Sequence, residues 1–156
     1  MNDIHARLTE LNITLPSCPM PVANYVTGVE GNGLVFVAGQ TAWQEDGTLL
    51  YPGKVGQDVT VEQAYLSARL AAIRLISELD AAVDLNRLRI LKVNGYINAV
   101  PDFGDHPRVM NGASDLLVSV FDDRGAHART AIGVGSLPDN ASVEVELVAM
   151  LLDEDT

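Results

Sequence analysis

Asn32-Gly33 lies between the runs Asn24-Tyr25-Val26-Thr27-Gly28-Val29 and Leu34-Val35-Phe36-Val37-Ala38-Gly39-Gln40. Both residues of the pair accept positive φ at low cost, so two strand-forming runs joined by it predict a tight hairpin. Towards the N-terminus, Ile4, Leu8 and Leu11 follow Asp3 at near-helical spacing, which predicts a short amphipathic helix within 3–12. Pro16, Pro19 and Pro21 bar its continuation. In the other direction, the glycines and proline of 39–58 predict an ordered loop with at most a short strand. Thr60 with Gln63 three residues later makes a capping-box pattern, and Val61, Ala64, Tyr65, Ala68, Ala72, Leu75, Ile76 and Leu79 continue it as the longest helix. A strand over 89–100 stops at Pro101. A second helix opens near Pro107 and carries Val109, Ala113, Leu116, Leu117, Val120 and Phe121 on one face. Two strands follow, over 128–135 and 142–151, with Leu137-Pro138-Asp139-Asn140 read as a hairpin loop between them. Strands at both ends of two helices predict an α+β domain in two layers: a mixed sheet with both helices on one face, plus the short leading helix.

With 156 residues the chain fits a single domain, 1–156, and no repeat or linker divides it. Ten basic against twenty-one acidic side chains leave a charge of −11, a balance that opposes binding to nucleic acid, where lysines and arginines displace counterions. The single cysteine, Cys18, permits no intrachain disulfide. Met1-Asn2-Asp3-Ile4-His5 has neither the basic start nor the apolar run of a secretory signal, and no stretch has the length of a membrane span. The expectation is a cytoplasmic protein with no membrane partner. Asp153-Glu154-Asp155 reads as a solvated acidic end.

Conventional catalytic motifs are missing. His5, His106 and His127 show no metal-ligand spacing with one another or with Cys18, so no metal is expected. Gly133-Val134-Gly135 lacks the rest of a dinucleotide fingerprint. Cys18 has no activating neighbour in sequence and reads as a structural or incidental thiol. Arg129 is unusual: strand alternation puts it on the face of Ala131 and Gly133, where small side chains leave room for a planar fork to take a carboxylate in two-point fashion. The plain alternative is a surface arginine paired with one of many acids. Glu144 and Glu146 share one face of the last strand. In the predicted hairpin register Glu144 lies opposite residue 133, roughly 13 Å from Arg129, so the two would meet only across a ligand or with a second chain; the plain alternative for Glu144 is a solvated strand-face acid.

Leu34-Val35-Phe36-Val37-Ala38-Gly39-Gln40, Asp102-Phe103, Arg129, Leu137-Pro138 and Val143-Glu144-Val145-Glu146, in that order, resemble the RidA/YjgF family of reactive-intermediate deaminases. Val109 to Leu117, with its Asn111-Gly112-Ala113-Ser114 core, and His127-Ala128-Arg129 resemble a longer branch labelled endoribonuclease L-PSP. The resemblance spans about residues 20–151 and implies a chorismate-mutase-like fold, a homotrimer with ligand clefts between subunits, and no cofactor. It implies that Arg129 binds the substrate carboxylate and that Glu144 serves the attacking water. Tyr25, Gly39, Asn111 and Ala131 would line the substrate site. Ala38 stands where many members have serine and Ala131 where many have cysteine, so this chain lacks those polar groups. The implied reaction is hydrolysis of 2-imino or 2-enamino acids to 2-keto acids and ammonia. A trimer that holds a small carboxylate without turnover is the alternative; a ribonuclease conflicts with the acidic balance.

Overall fold

A computed structural model describes residues 3–18, 21 and 23–153. Pro19, Met1-Asn2 and the Glu154-Asp155 end of the acidic tail lie outside the described residues. The leading helix α1 (Ile4–Glu10) is capped by the Asp3 carboxylate, which accepts from the His5 amide at 3.1 Å. It buries Ile4 and Leu8, and the Arg7 side chain donates to the Ser119 carbonyl. The hairpin forms as the Asn-Gly pair requires. Strand β1 (Gly28–Gly31) pairs with β2 (Leu34–Thr41), Gly31 opposite Leu34, and Asn32 and Gly33 both take positive φ. The first strand is shorter than its sequence suggests, because Tyr25 and Val26 precede the ladder and stay exposed.

Helix α2 (Val61–Ala82) has the full capping box, with Thr60 and Gln63 each bonding the other's backbone N–H. Strand β3 (Leu88–Asn98), helix α3 (His106–Phe121), strand β4 (Ala128–Val134) and strand β5 (Val143–Leu151) complete the fold. The sheet order is β1-β2-β5-β3-β4: β4 runs parallel to β3, and the other pairs are antiparallel.

The last two strands therefore form no hairpin. Residues 135–142 pass over the end of β3, and β5 enters between β2 and β3. Side chains hold that crossing. The Lys54 ammonium donates to the Gly135 carbonyl and the Asn98 amide oxygen, and the Asn98 amide nitrogen donates to the Ala141 carbonyl.

Alternation divides the sheet into two unlike faces. Val35, Val37, Ile90, Val93, Ile97, Val145 and Leu147 point under the helices and are buried. Small residues bring the layers together: a Cβ on Gly112 would stand 2.0 Å from the Tyr65 carbonyl oxygen, so α3 lies directly on the backbone of α2. Among the described residues the opposite face carries no helix. It presents Glu144, Glu146, Asn94 and Tyr96 with the exposed Val29, Phe36 and Ile132. Among the described residues no helix is long and apolar enough to cross a membrane.

Candidate functional site

Three of the predicted site residues share one cleft. It encloses about 530 Å³ between Ser17, Pro21, Tyr25 and Thr27 on one side and the end of β2, α2 and the start of β5 on the other, and its wall includes Gly39 and Glu144. A bulge between Val37 and Gln40 shifts the β2–β5 register there. It sets Gly39 so close to Glu144 that a Cβ at position 39 would lie 2.3 Å from the carboxylate. A side chain at position 39 would displace the Glu144 carboxylate. Glu144 is half-buried, and burial first and the Glu146 charge second push its carboxyl above the ordinary range. Glu146 accepts from the Tyr96 hydroxyl at 2.6 Å and from the Asn94 amide at 3.2 Å. Tyr96 is pushed up to about 12, chiefly by that hydrogen bond. A carboxyl raised in this way is a better proton acceptor than an ordinary surface acid.

Arg129 and Asn111 form a second corner, against α3. The Arg129 Nη1 donates to the Asn111 Oδ1 and to the Ser114 Oγ, both at 3.0 Å, and Nη2 donates to the Pro107 carbonyl at 3.3 Å. Three of the five guanidinium donors are so used, which leaves two, the number a carboxylate takes in two-point fashion. The small residues on this face have another use than the one expected. A Cβ on Gly133 would lie 2.8 Å from the His106 Nε2, so the start of α3 occupies the space beside Gly133. Ala131 faces Gly95 across the β3–β4 ladder and packs against the core.

Within one chain the two corners do not meet. Val93 pairs with both Arg129 and Leu147, which puts Arg129 on the helix-covered face of the edge strand. Tyr96 pairs with Glu144, which puts Glu144 on the open face of the central strand. The predicted register across a β4–β5 hairpin fails because β3 lies between those strands.

The sequence reading missed Arg74 and Glu78, which line the Glu144 cleft and are only 7% and 6% exposed. Arg74 donates to the Trp43 carbonyl at 3.2 Å and to the Gln40 side chain at 3.4 Å. Their signal was available: Ser67, Ala71, Arg74 and Glu78 recur at helical spacing beside the apolar stripe of α2. It also gave no role to Ser114 and His127, although both stand in the quoted motifs. The other groups are structural. His5 pairs with Asp80, His106 stacks edge-on against Phe103, and Cys18 contacts the Ser77 hydroxyl, its thiol raised chiefly by burial.

A five-stranded mixed sheet with two long helices on one face defines the YjgF/chorismate-mutase-like class of α+β proteins. The family described as "YjgF/chorismate mutase-like, putative endoribonuclease" matches residues 5–151, and the chain belongs to this RidA/YjgF family. It is 38% identical to Protein TCP17 of Trypanosoma cruzi over 151 residues, 95% of this chain and 94% of that protein. A crystal structure titled "a putative endoribonuclease" from Shewanella oneidensis superposes with a TM-score of 0.91 at 31% identity, covering 96% of this chain and 100% of the other. A 2-iminobutanoate/2-iminopropanoate deaminase of Dermatophagoides farinae is 26% identical over 143 residues, 89% of this chain and 94% of that protein.

Proposed function

We propose that the protein hydrolyses 2-imino acids, and their 2-enamino tautomers, to 2-keto acids and ammonia. The observation that carries this reading is Glu144, half-buried against Gly39 in a cleft with Tyr25, its carboxyl raised above the ordinary range. Family membership and the mite deaminase support it. An iminium carbon is already electrophilic, so positioned groups suffice and no cofactor is needed. Glu144 takes a proton from water as its oxygen bonds to C2. The resulting carbinolamine gains that proton on nitrogen, the C–N bond breaks, and ammonia leaves as the C2 hydroxyl gives its proton to the regenerated Glu144 carboxylate and becomes the carbonyl; the departing ammonia then takes that proton as ammonium. Arg129 grips the carboxylate.

Since Arg129 and Glu144 occupy opposite faces of one sheet, the complete site in this proposal combines the Arg129 corner of one copy with the Glu144 cleft of another, in a homotrimer with three such clefts. The apolar residues exposed on the helix-free face, Phe36 at 50% and Ile132 at 46%, favour burial against another copy. A cleft whose lining carries Glu45, Glu78, Asp139 and Glu144 against one arginine is poorly suited to a phosphodiester backbone.

The test couples the pure protein to an L-amino-acid oxidase and follows imine decay. The reading expects faster release of ammonia and 2-keto acid, with the rate lost in Glu144→Gln and in Arg129→Ala. Imine decay at the uncatalysed rate, with 2-keto acid still bound, would replace it by a carboxylate-binding role.

A further inference from the structure

We propose that Ser114 and His127 are positioning residues that aim the Arg129 fork through a one-way hydrogen-bond relay anchored on the Gly125 carbonyl. The inference deepens the proposed function, because it rests on Arg129 as the carboxylate clamp.

Proton accounting fixes the direction of the relay. The His127 Nδ1 lies 2.6 Å from the Gly125 carbonyl oxygen, which can only accept, so Nδ1 carries the hydrogen. The neutral ring then offers a lone pair at Nε2, and the Ser114 hydroxyl, 2.9 Å away, donates to it. With its hydrogen committed, the Ser114 oxygen presents lone pairs to Arg129, whose Nη1 donates at 3.0 Å. Asn111 accepts from the same nitrogen, so both Nη1 hydrogens are used and the guanidinium plane cannot turn. Its free donors, Nε–H and one on Nη2, point where the relay leaves them.

Alone, a serine in mid-helix turns its hydroxyl back to the carbonyl one turn earlier. His127 is what draws Ser114 away from that partner. The surroundings favour the neutral ring: burial first, opposed by the Gly125 hydrogen bond and aided by the Arg129 charge, holds its pKa below the ordinary value. Ser114 is no nucleophile in this arrangement, because its oxygen accepts from Arg129 while donating to His127.

The experiment compares Ser114→Ala, His127→Phe, the double variant and Ser114→Thr with the unmodified protein, using two readouts. Nitrogen NMR of the arginine side chains reports guanidinium rotation without any ligand. The relay expects separate, slowly exchanging Arg129 Nη signals in the unmodified protein and in Ser114→Thr, which keeps the hydroxyl. It expects rotation at least about tenfold faster in Ser114→Ala and His127→Phe, and no faster still in the double variant. Calorimetry with 2-oxobutanoate then expects about tenfold weaker binding in both single variants, and no change with the uncharged 2-oxobutanamide. Unchanged Arg129 rotation in both single variants, or additive losses in the double, would overturn the relay. Slow Arg129 rotation lost in the variants, but no binding of 2-oxobutanoate to the unmodified protein, would uphold the relay and overturn the clamp. If one single variant does not fold, the other end of the relay still decides.

Discussion

The two corners of the candidate site differ in how completely the protein satisfies them. At the Arg129 corner a cation is tied by three donors to one helix, with a histidine and a serine behind it. At the Glu144 cleft an acid stands half-buried with a second acid beside it, and pays for that position in a raised pKa. A group that must hold a substrate in one geometry benefits from being fixed, whereas a group that must exchange protons benefits from being incompletely compensated. Under the proposed function, that difference suits the first corner to binding and the second to proton transfer.

The sharpest way to break that comparison is Glu144→Gln. Loss of a general base is expected to lower kcat by about 10²–10⁴ while the melting temperature stays level or rises. The sign follows from linkage. Because the folded-state carboxyl titrates above its unfolded value, the cost of ionising it is absent below the unfolded pKa and is fully present above the folded one. At neutral pH the glutamine removes that cost. A melting temperature several degrees lower would show that Glu144 is compensated after all, and calorimetric scanning reads it directly.

Arg129→Ala should act through binding: a rise of about 10–100-fold in the dissociation constant for 2-oxobutanoate, as expected for charge-assisted hydrogen bonds. It should also lower stability slightly, since its contacts to Asn111, Ser114 and Pro107 disappear. Gly112→Ala attacks the same corner from behind. The added methyl would meet the Tyr65 carbonyl and separate α3 from α2, at a cost of ~1–3 kcal/mol in chemical denaturation. Substrate affinity should fall with it, while the Glu144 cleft keeps its shape. The smallest effect is expected for Glu146→Gln. The acid limb of the pH–rate profile should move to lower pH without reaching the ordinary carboxylate range, because burial, the larger cause, remains.

Local chemistry made much of this molecule legible in its sequence. The Asn32-Gly33 turn and the Thr60/Gln63 box each depend on residues within three positions of one another, and both formed as read. The neighbours of β4 were not legible. The short turn-like stretch at Leu137-Pro138-Asp139-Asn140 looks the same whether the chain returns beside β4 or crosses the end of β3. What decides is Asn98 and Lys54, some forty and eighty residues away, which satisfy the crossing backbone. The candidate site followed the same rule. Tyr25, Gly39 and Glu144 converge on one cleft and Arg129 finds Asn111, but the separation of the two groups depends on strand order, which no single segment encodes. Arg74 and Glu78 escaped notice because polar side chains on a long helix are read as its wet side, whereas here the cleft has its floor there.

The strand added last to this sheet sits at its middle, between β2 and β3. A ribosome that has delivered everything up to residue 142 has therefore delivered two half-sheets with a gap between them, each presenting an unpaired edge. Completion waits on Val143–Leu151, and until that strand arrives both edges offer unpaired backbone groups to any other strand.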